Sequence, residues 1–185
     1  MTQTVEPTKV DPDPDVIGVL LDQHTRVKNL LTEVAAATGP AKQEHFDELR
    51  RLLAVHEAGE EAVLRPVSQK AAGEQVADAR DAEEKEANDA LSVLEKLDVT
   101  GIEFAVKFAE FQKAVLAHAE HEEAEEFPAV RALCSPPELQ EMGRRLLEAE
   151  SRAATHPRTS TAGSSAAQKV MGPLAAMVDK VRDAL

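Results

Sequence analysis

Apolar residues recur every three or four positions along most of this chain, and glycines and prolines divide the pattern into segments of helical length. This spacing puts the apolar side chains on one face of an α-helix and does not match the alternation of a β-strand. The first such face consists of Val16, Leu20, Val27, Leu31 and Val34. The first predicted helix therefore spans residues 16–34 and ends at Thr38-Gly39-Pro40.

The same periodicity predicts three more long helices. They cover residues 42–64, 74–97 and 102–127, and we expect Pro66, Gly101 and Pro128 to end them. Four helices with short connections favour an all-α fold, an antiparallel up-down four-helix bundle with an additional C-terminal helix or helices. The predicted organisation is a mobile N-terminal arm (1–15), the bundle with the helix that follows it (16–153), a polar linker (154–168) and a short C-terminal amphipathic helix (169–185).

Polar residues interrupt the apolar faces of three predicted helices. His24 lies on the same face as a neighbouring leucine and valine in the first helix. In the second helix His56 and Glu60 continue a face of leucines, and in the fourth helix His118 and Glu122 continue a face of phenylalanines and valine. Both pairs have the i, i+4 spacing that makes two side chains neighbours on a helix. The three histidines and two glutamates should therefore point into the core.

Buried carboxylates need a compensating positive charge, because an unpaired charge in the interior costs several kcal/mol. No lysine or arginine lies at the neighbouring positions of these faces, so we expect metal ions to supply the charge. Imidazole nitrogens and carboxylate oxygens are suitable ligands for such ions, zinc and manganese included. Antiparallel packing brings the three histidines to one level of the bundle and sets the two His–Glu pairs across the core from each other.

The third helix should contribute a ligand near its start, because it runs antiparallel to the second and fourth. Its candidates are Glu83, Glu84 and Glu86. Glu84 is in phase with the apolar positions Ala87 and Leu91 and is therefore favoured.

These residues resemble the hemerythrin-like HHE cation-binding family, four-helix bundles that hold a non-haem di-iron centre. The resemblance covers about residues 15–150. The positions carried over are His24 within Asp22-Gln23-His24, the pair His56 and Glu60, the pair His118 and Glu122, and Phe127-Pro128. The resemblance implies a cofactor of two iron ions with an oxo or hydroxo bridge. The predicted ligands are His24, His56, Glu60, Glu84, His118 and Glu122.

Glu60 and Glu122 would be the bridging carboxylates, with the histidines capping the two irons. Family members usually carry a histidine on the third helix, whereas residues 82–86 contain none here. A glutamate there brings the site closer to ferritin-type centres. Anionic ligands favour ferric iron, which weighs against simple reversible O₂ binding. Three further side chains are candidates at the edge of the site: Glu57, His121 and Glu123, the last of which could replace Glu122 if the fourth helix rotates slightly.

The family includes O₂ carriers and sensors, iron-handling proteins and members that decompose hydrogen peroxide. The expected function is therefore binding of O₂ or a related small ligand at a di-iron centre, in sensing, carriage or iron handling. A second hypothesis is a catalase-like enzyme that decomposes peroxide. A third is a metal-free bundle that serves as an interaction module through its terminal helix.

The composition limits the partners further. Asp and Glu number 34 against 21 Lys and Arg, which gives a net charge of −13 and argues against nucleic acid or an anionic membrane as partner. A single cysteine and no tyrosine leave histidine and carboxylates as the metal ligands available. No apolar run reaches the roughly 18 residues of a membrane span, and the N-terminus lacks the apolar region of a signal peptide. We therefore expect a cytoplasmic protein.

Overall fold

The computed structural model describes residues 14–155 of the 185-residue chain, and its regular structure is helical. The elements are α1 (Val16–Ala36), α2 (Pro40–Gly59), the π-helical turn π1 (Glu60–Leu64), α3 (Arg65–Ala72), α4 (Glu74–Leu94), α5 (Ile102–His121), the π-helical turn π2 (Glu122–Glu126), α6 (Phe127–Leu133) and α7 (Pro136–Thr155). The Asp15 carboxylate caps α1 by accepting a hydrogen bond from the Gly18 N–H at 2.8 Å.

Four long helical rods form the bundle, which confirms the predicted fold class. They are α1, the continuous α2–π1–α3, α4, and the continuous α5–π2–α6. Helix α1 packs against α2 and α5, α4 packs against α5, and α3 lies against α6. The turns before α2 and α4 use Gly39 (φ 61°) and Gly73 (φ 96°), whose left-handed backbone favours glycine.

Two of the predicted helix ends are wrong. Pro66 and Pro128 lie inside continuous helical rods, each just after a π-helical turn. A proline lacks the N–H of a helix residue, and its ring clashes with the carbonyl four residues back. The wider π turn, with one extra residue, accommodates the ring without ending the helix. The i to i−5 hydrogen bonds of these turns join Arg65 to Glu60 and Phe127 to Glu122.

Helix α7 corresponds to the helix predicted to follow the bundle. It packs along α1 and the end of α2. Two glycines allow this close approach. A methyl group at Gly143 would lie 2.2 Å from the Pro14 carbonyl oxygen, and one at Gly59 would lie 2.1 Å from the Leu146 side chain. Helix α7 is thus fitted against the start of α1 and against π1, which begins one residue after Gly59.

The apolar core has two parts with a polar layer between them. One cluster fills the half of the bundle that contains Phe46, Phe104 and Phe108. The other joins the start of α1 to π1, α6 and α7 through residues such as Ile17 and Leu146. The predicted apolar faces of α1 and α5 are buried in these clusters. The polar residues of those faces occupy the layer between.

Several predicted segments lie outside the described residues. These are residues 1–13 of the predicted N-terminal arm, residues 156–168 of the predicted linker and the predicted C-terminal helix 169–185. Helix α7 continues to Thr155, so residues 154 and 155 are helical. Within residues 14–155, no helix has the length and apolar character needed to cross a membrane.

Candidate metal centre

The polar layer is built from the five core-facing residues of the His–Glu pattern. α1 supplies His24, α2 supplies His56 and α5 supplies His118. Glu60 and Glu122 are the first residues of π1 and π2, and their exposed fractions are 1% and 0%. Because the two rods that carry them run in parallel, the two glutamates meet at one height.

The ring nitrogens of the histidines converge on the two carboxylates. His24 Nε2 lies 3.3 Å from one oxygen of Glu122, and His118 Nε2 lies 3.3 Å from the other. His56 Nε2 lies 3.5 Å from Glu60 Oε2. Two overlapping groups have ligand atoms within 4.8 Å of one another: His24, His56, Glu60 and Glu122, and Glu60, Glu84, His118 and Glu122. All six sequence-predicted ligand residues therefore come together, with Glu60 and Glu122 common to both groups.

Each histidine is anchored on the side away from the carboxylate pair. The Nδ1 atoms lie against oxygen atoms: His24 against Glu123 at 2.9 Å, His56 against Gln23 at 2.8 Å and His118 against Glu83 at 3.1 Å. Since an oxygen of this kind only accepts, Nδ1 carries the proton of each neutral ring and Nε2 presents its lone pair to the centre. Outer hydrogen bonds of this kind orient histidine ligands in metal sites.

The centre has more hydrogen-bond acceptors than donors. This imbalance indicates whether a cation would fit there. Among the described residues, both oxygens of Glu60, both oxygens of Glu122 and His24 Nε2 are buried without a hydrogen-bond partner. Buried polar atoms are almost always hydrogen-bonded, so this concentration of unpaired acceptors is unusual. Metal ions would provide the missing partner to all five atoms at once. The donor set of imidazole nitrogen and carboxylate oxygen suits such ions.

Comparison with known proteins agrees with this geometry. Residues 15–130, more than half of the chain, match the hemerythrin HHE cation binding domain. The chain belongs to the hemerythrin HHE family. A comparison with curated proteins finds no match.

A solved structure supports the fold of this HHE domain. It is a hemerythrin HHE cation binding domain-containing protein from Mycobacterium kansasii, with a TM-score of 0.72 and 22% sequence identity. The similarity covers 90% of this chain and 99% of that chain. At this level of identity the similarity shows the shared fold.

Ionisation in the HHE domain reflects the shortage of positive charge. Burial raises the pKa of Glu60 well above its usual value, and the neighbouring Glu122 adds to the effect. Burial also lowers the pKa of His56 to about 3. Burial opposes charge at Glu122 and His118 too, but their mutual attraction outweighs it, so the Glu122 pKa is lowered and the His118 pKa is raised. In the metal-free domain protons thus supply part of the charge that metal ions would bring.

Arginines contribute positive charge at one side of the centre. Arg65, only 8% exposed, pairs with Glu84, with Glu126 at 3.3 Å and with Asp81 at 3.1 Å. The sequence shows no lysine or arginine at the neighbouring positions of these helix faces, yet the structure brings Arg65 beside Glu84 and Glu126. The π turn explains this difference, because it brings Arg65 back to the face of Glu60 after five residues.

The three candidate ligands of the third predicted helix occupy different positions relative to the centre. Glu84 belongs to the second ligand group. Glu83 lies behind His118, where it bonds His118 Nδ1 and His121 Nδ1, and Glu86 is exposed. Of these three glutamates, the one in phase with the apolar face of α4 is the one that reaches the centre.

The three candidates at the edge of the site lie around the ligand groups. Glu123 bonds His24 Nδ1 and Lys28, and His121 has a side chain that is 46% exposed. Glu57 accepts a hydrogen bond from the Asn88 amide at 3.0 Å, and burial raises the pKa of Glu57 to about 7. These three residues are absent from both ligand groups found within residues 14–155.

Besides Arg65, sequence reasoning missed three buried polar residues beside the centre. Gln23 bonds His56, Glu126 has an exposed fraction of 0%, and Arg80 has one of 5%. Two of them had a detectable signal. Glu126 continues the i, i+4 series of His118 and Glu122, and Arg80 continues the face of Glu84 one turn back.

A small cavity adjoins the histidines. Its volume is about 30 Å³. Its apolar lining comes from Val27, Leu53, Ala87, Val115 and Ala119. The three histidines, Glu57 and Glu84 complete the lining. A space of this size holds one water-sized or diatomic molecule.

Proposed function

We propose that this HHE domain holds two iron ions and binds O₂ or a related small ligand beside them. The two overlapping ligand groups support two ions, since each group supplies at least three ligands and both share Glu60 and Glu122. These shared carboxylates would bridge the ions, and the histidines would cap them. Iron in such a site supplies reversible electron transfer and an open position for a small ligand.

The cavity is the observation that carries the small-ligand proposal. It touches His24, His56 and His118, and five of its ten lining residues are aliphatic, so that the surface of its wall is mostly apolar. An apolar cavity favours a small uncharged ligand over ions and disfavours larger polar substrates. The small volume of the cavity thus favours a ligand of about the size of O₂.

Anaerobic reconstitution with Fe(II) tests the metal part of the proposal. We expect metal analysis to give two iron ions per chain, with a visible absorption spectrum that develops when O₂ is admitted. A protein that stays free of iron under these conditions would contradict the proposal and would favour the metal-free interaction module.

A variant that narrows the cavity tests the ligand part. Ala119 lines the cavity on α5, so Ala119→Val should slow or abolish the spectral response to O₂ while two iron ions remain bound. Ala109 is an exposed alanine on the same helix, and Ala109→Val is the matched control. An O₂ response of Ala119→Val equal to that of the control would count against binding in this cavity.

Peroxide decomposition is a second candidate, favoured by Glu57. Glu57 lines the same cavity and is absent from both ligand groups of the described residues, so its carboxyl group would be available to hydrogen-bond hydrogen peroxide there. The iron-loaded protein should then evolve O₂ from hydrogen peroxide, and Glu57→Leu should lower that rate without loss of iron. Absence of O₂ evolution from the iron-loaded protein would exclude this candidate.

A further inference from the structure

Gln23 joins the centre to helix α7 through its side-chain amide. The residue is 8% exposed and immediately precedes His24 on α1. Its Oε1 atom accepts a hydrogen bond from His56 Nδ1–H at 2.8 Å, and its Nε2 atom donates to the Glu150 carboxylate. The amide is therefore the middle member of a series that runs from α7 through α1 to a ring on α2.

The direction of this series depends on Glu150. An amide can turn over and present either oxygen or nitrogen to His56. A carboxylate only accepts, so Glu150 holds the NH₂ group of Gln23 on its own side and leaves the oxygen facing His56. His56 must then carry its proton on Nδ1, and its Nε2 lone pair faces Glu60 and the centre.

His56 differs in this respect from the other two histidines. His24 and His118 bond directly to the carboxylates of Glu123 and Glu83, which can only accept. Among these three rings, His56 is the one held by a neutral amide. Its tautomer needs a further group to fix the amide.

Packing holds Glu150 in place. Leu146, one helical turn before Glu150, is fully buried and packs against Gly59, just before π1. Gly143, one turn earlier on α7, contacts the start of α1. The contacts therefore fix α7 on the two rods that carry Gln23 and His56.

We infer that Glu150 is a positioning residue for His56, acting through Gln23, and that helix α7 is therefore part of the metal centre. The family match covers residues 15–130, so α7 lies beyond it. The inference rests on the proposed function in one respect, that His56 binds a metal through Nε2. The tautomer of His56 itself can be measured without metal.

Reversal of the hydrogen-bond direction tests the inference. In Glu150→Lys the ammonium group donates to Gln23, which turns the amide and presents its NH₂ group to His56. Imidazole ¹⁵N NMR of the metal-free full-length protein should then show the proton of His56 moved from Nδ1 to Nε2. The His56 signals are assigned by their loss in His56→Gln. Zinc affinity should fall at least about tenfold, the lower range for loss of an outer partner of a ligand.

Two further variants separate this effect from charge and folding. Glu148→Lys makes the same charge change on a more exposed position of α7 and should leave both readouts as in the parent protein. The double variant Gln23→Glu/Glu150→Lys restores an acceptor to His56 and should restore the Nδ1–H tautomer together with most of the zinc affinity.

An unchanged His56 tautomer in Glu150→Lys would overturn the inference, as would failure of the double variant to restore it. Equal losses of zinc affinity in Glu148→Lys and Glu150→Lys would also overturn the inference. The parent protein could bind neither zinc nor iron while the His56 tautomer still changes as expected in the variants. That result would support the positioning role of Glu150 and would refute the proposed function.

Discussion

Glu60 shows at the scale of one residue how this protein gives up stability for a site. Within the described residues its two oxygens have no hydrogen-bond partner, although the side chain is 1% exposed. Its pKa is raised well above the usual value, first by burial and then by Glu122. An unsatisfied buried polar group costs about 1–3 kcal/mol. Such a residue is understandable where a ligand would satisfy it.

Replacing Glu60 with an apolar residue should therefore stabilise the metal-free protein. We expect Glu60→Met to raise its free energy of unfolding by about 1–2 kcal/mol, because an unsatisfied carboxyl is exchanged for packing. The same change should abolish metal binding. Chemical denaturation of the metal-free protein measures the first effect.

The control is Glu120→Met, at an exposed position on α5, which should change stability by no more than about 0.5 kcal/mol. A loss of stability in metal-free Glu60→Met would show that Glu60 has stabilising partners.

His118 and His121 provide a second comparison at the residue scale. Both rings bond the same carboxylate, Glu83, through Nδ1. Only the His118 ring also faces Glu122, at 3.3 Å, whereas His121 is 46% exposed. We expect His118→Ala to bind less than half the metal of the parent and His121→Ala to bind the full amount, as metal analysis will show. Equal losses of bound metal in the two variants would contradict the placement of the site.

At the scale of elements, the two π turns repeat one sequence pattern. His56 and His118 each begin the series H-x3-E-E-A-x3-P, and in each rod the first glutamate of the series starts the π turn. The extra residue of each turn keeps the helix intact through its proline. It also brings Phe127 to stack on His24, with ring centroids 5.5 Å apart. The turns thus connect the candidate ligands to the apolar cluster that contains Phe127.

Helix α7 depends on a close contact that a matched pair of glycines can test. At Gly143 a methyl group would lie 2.2 Å from a backbone oxygen, so Gly143→Ala should destabilise the protein by about 1–3 kcal/mol. At Gly18 the nearest atom would be 3.6 Å away, so Gly18→Ala should stabilise α1 by up to about 1 kcal/mol. Denaturant titration compares the two. Stabilisation by Gly143→Ala would mean that α7 does not pack against α1 as described.

At the scale of the whole molecule, the polar layer lies between two apolar clusters. The cluster around Phe46 and Phe104 and the cluster around Ile17 and Leu146 are each formed by several helices. Each can hold the rods together without help from the centre. The bundle should therefore fold without metal, although with unpaired acceptors at its middle.

Removal of metal should lower thermal stability without loss of the fold. A metal present at about one hundred times its Kd stabilises the native state by about 2.7 kcal/mol. We expect chelation to lower the Tm by several degrees while the far-UV circular dichroism at 25 °C stays helical. Complete loss of the helical signal on chelation would show that the metal, and not the two clusters, holds the bundle together.

The helical period of the apolar residues determined the all-α fold, the apolar faces of α1 and α5, and the meeting of His24, His56 and His118 with their glutamates. These features follow from spacing along one helix and from antiparallel packing, both of which are readable from sequence. The π turns, the burial of Arg65 and the hydrogen bond from Gln23 to Glu150 were decided by the tertiary structure. A π turn changes the phase of a helix by one residue, and Gln23 lies 127 positions from Glu150. A periodicity of 3.6 residues predicts neither the phase change nor a contact between positions so far apart in sequence.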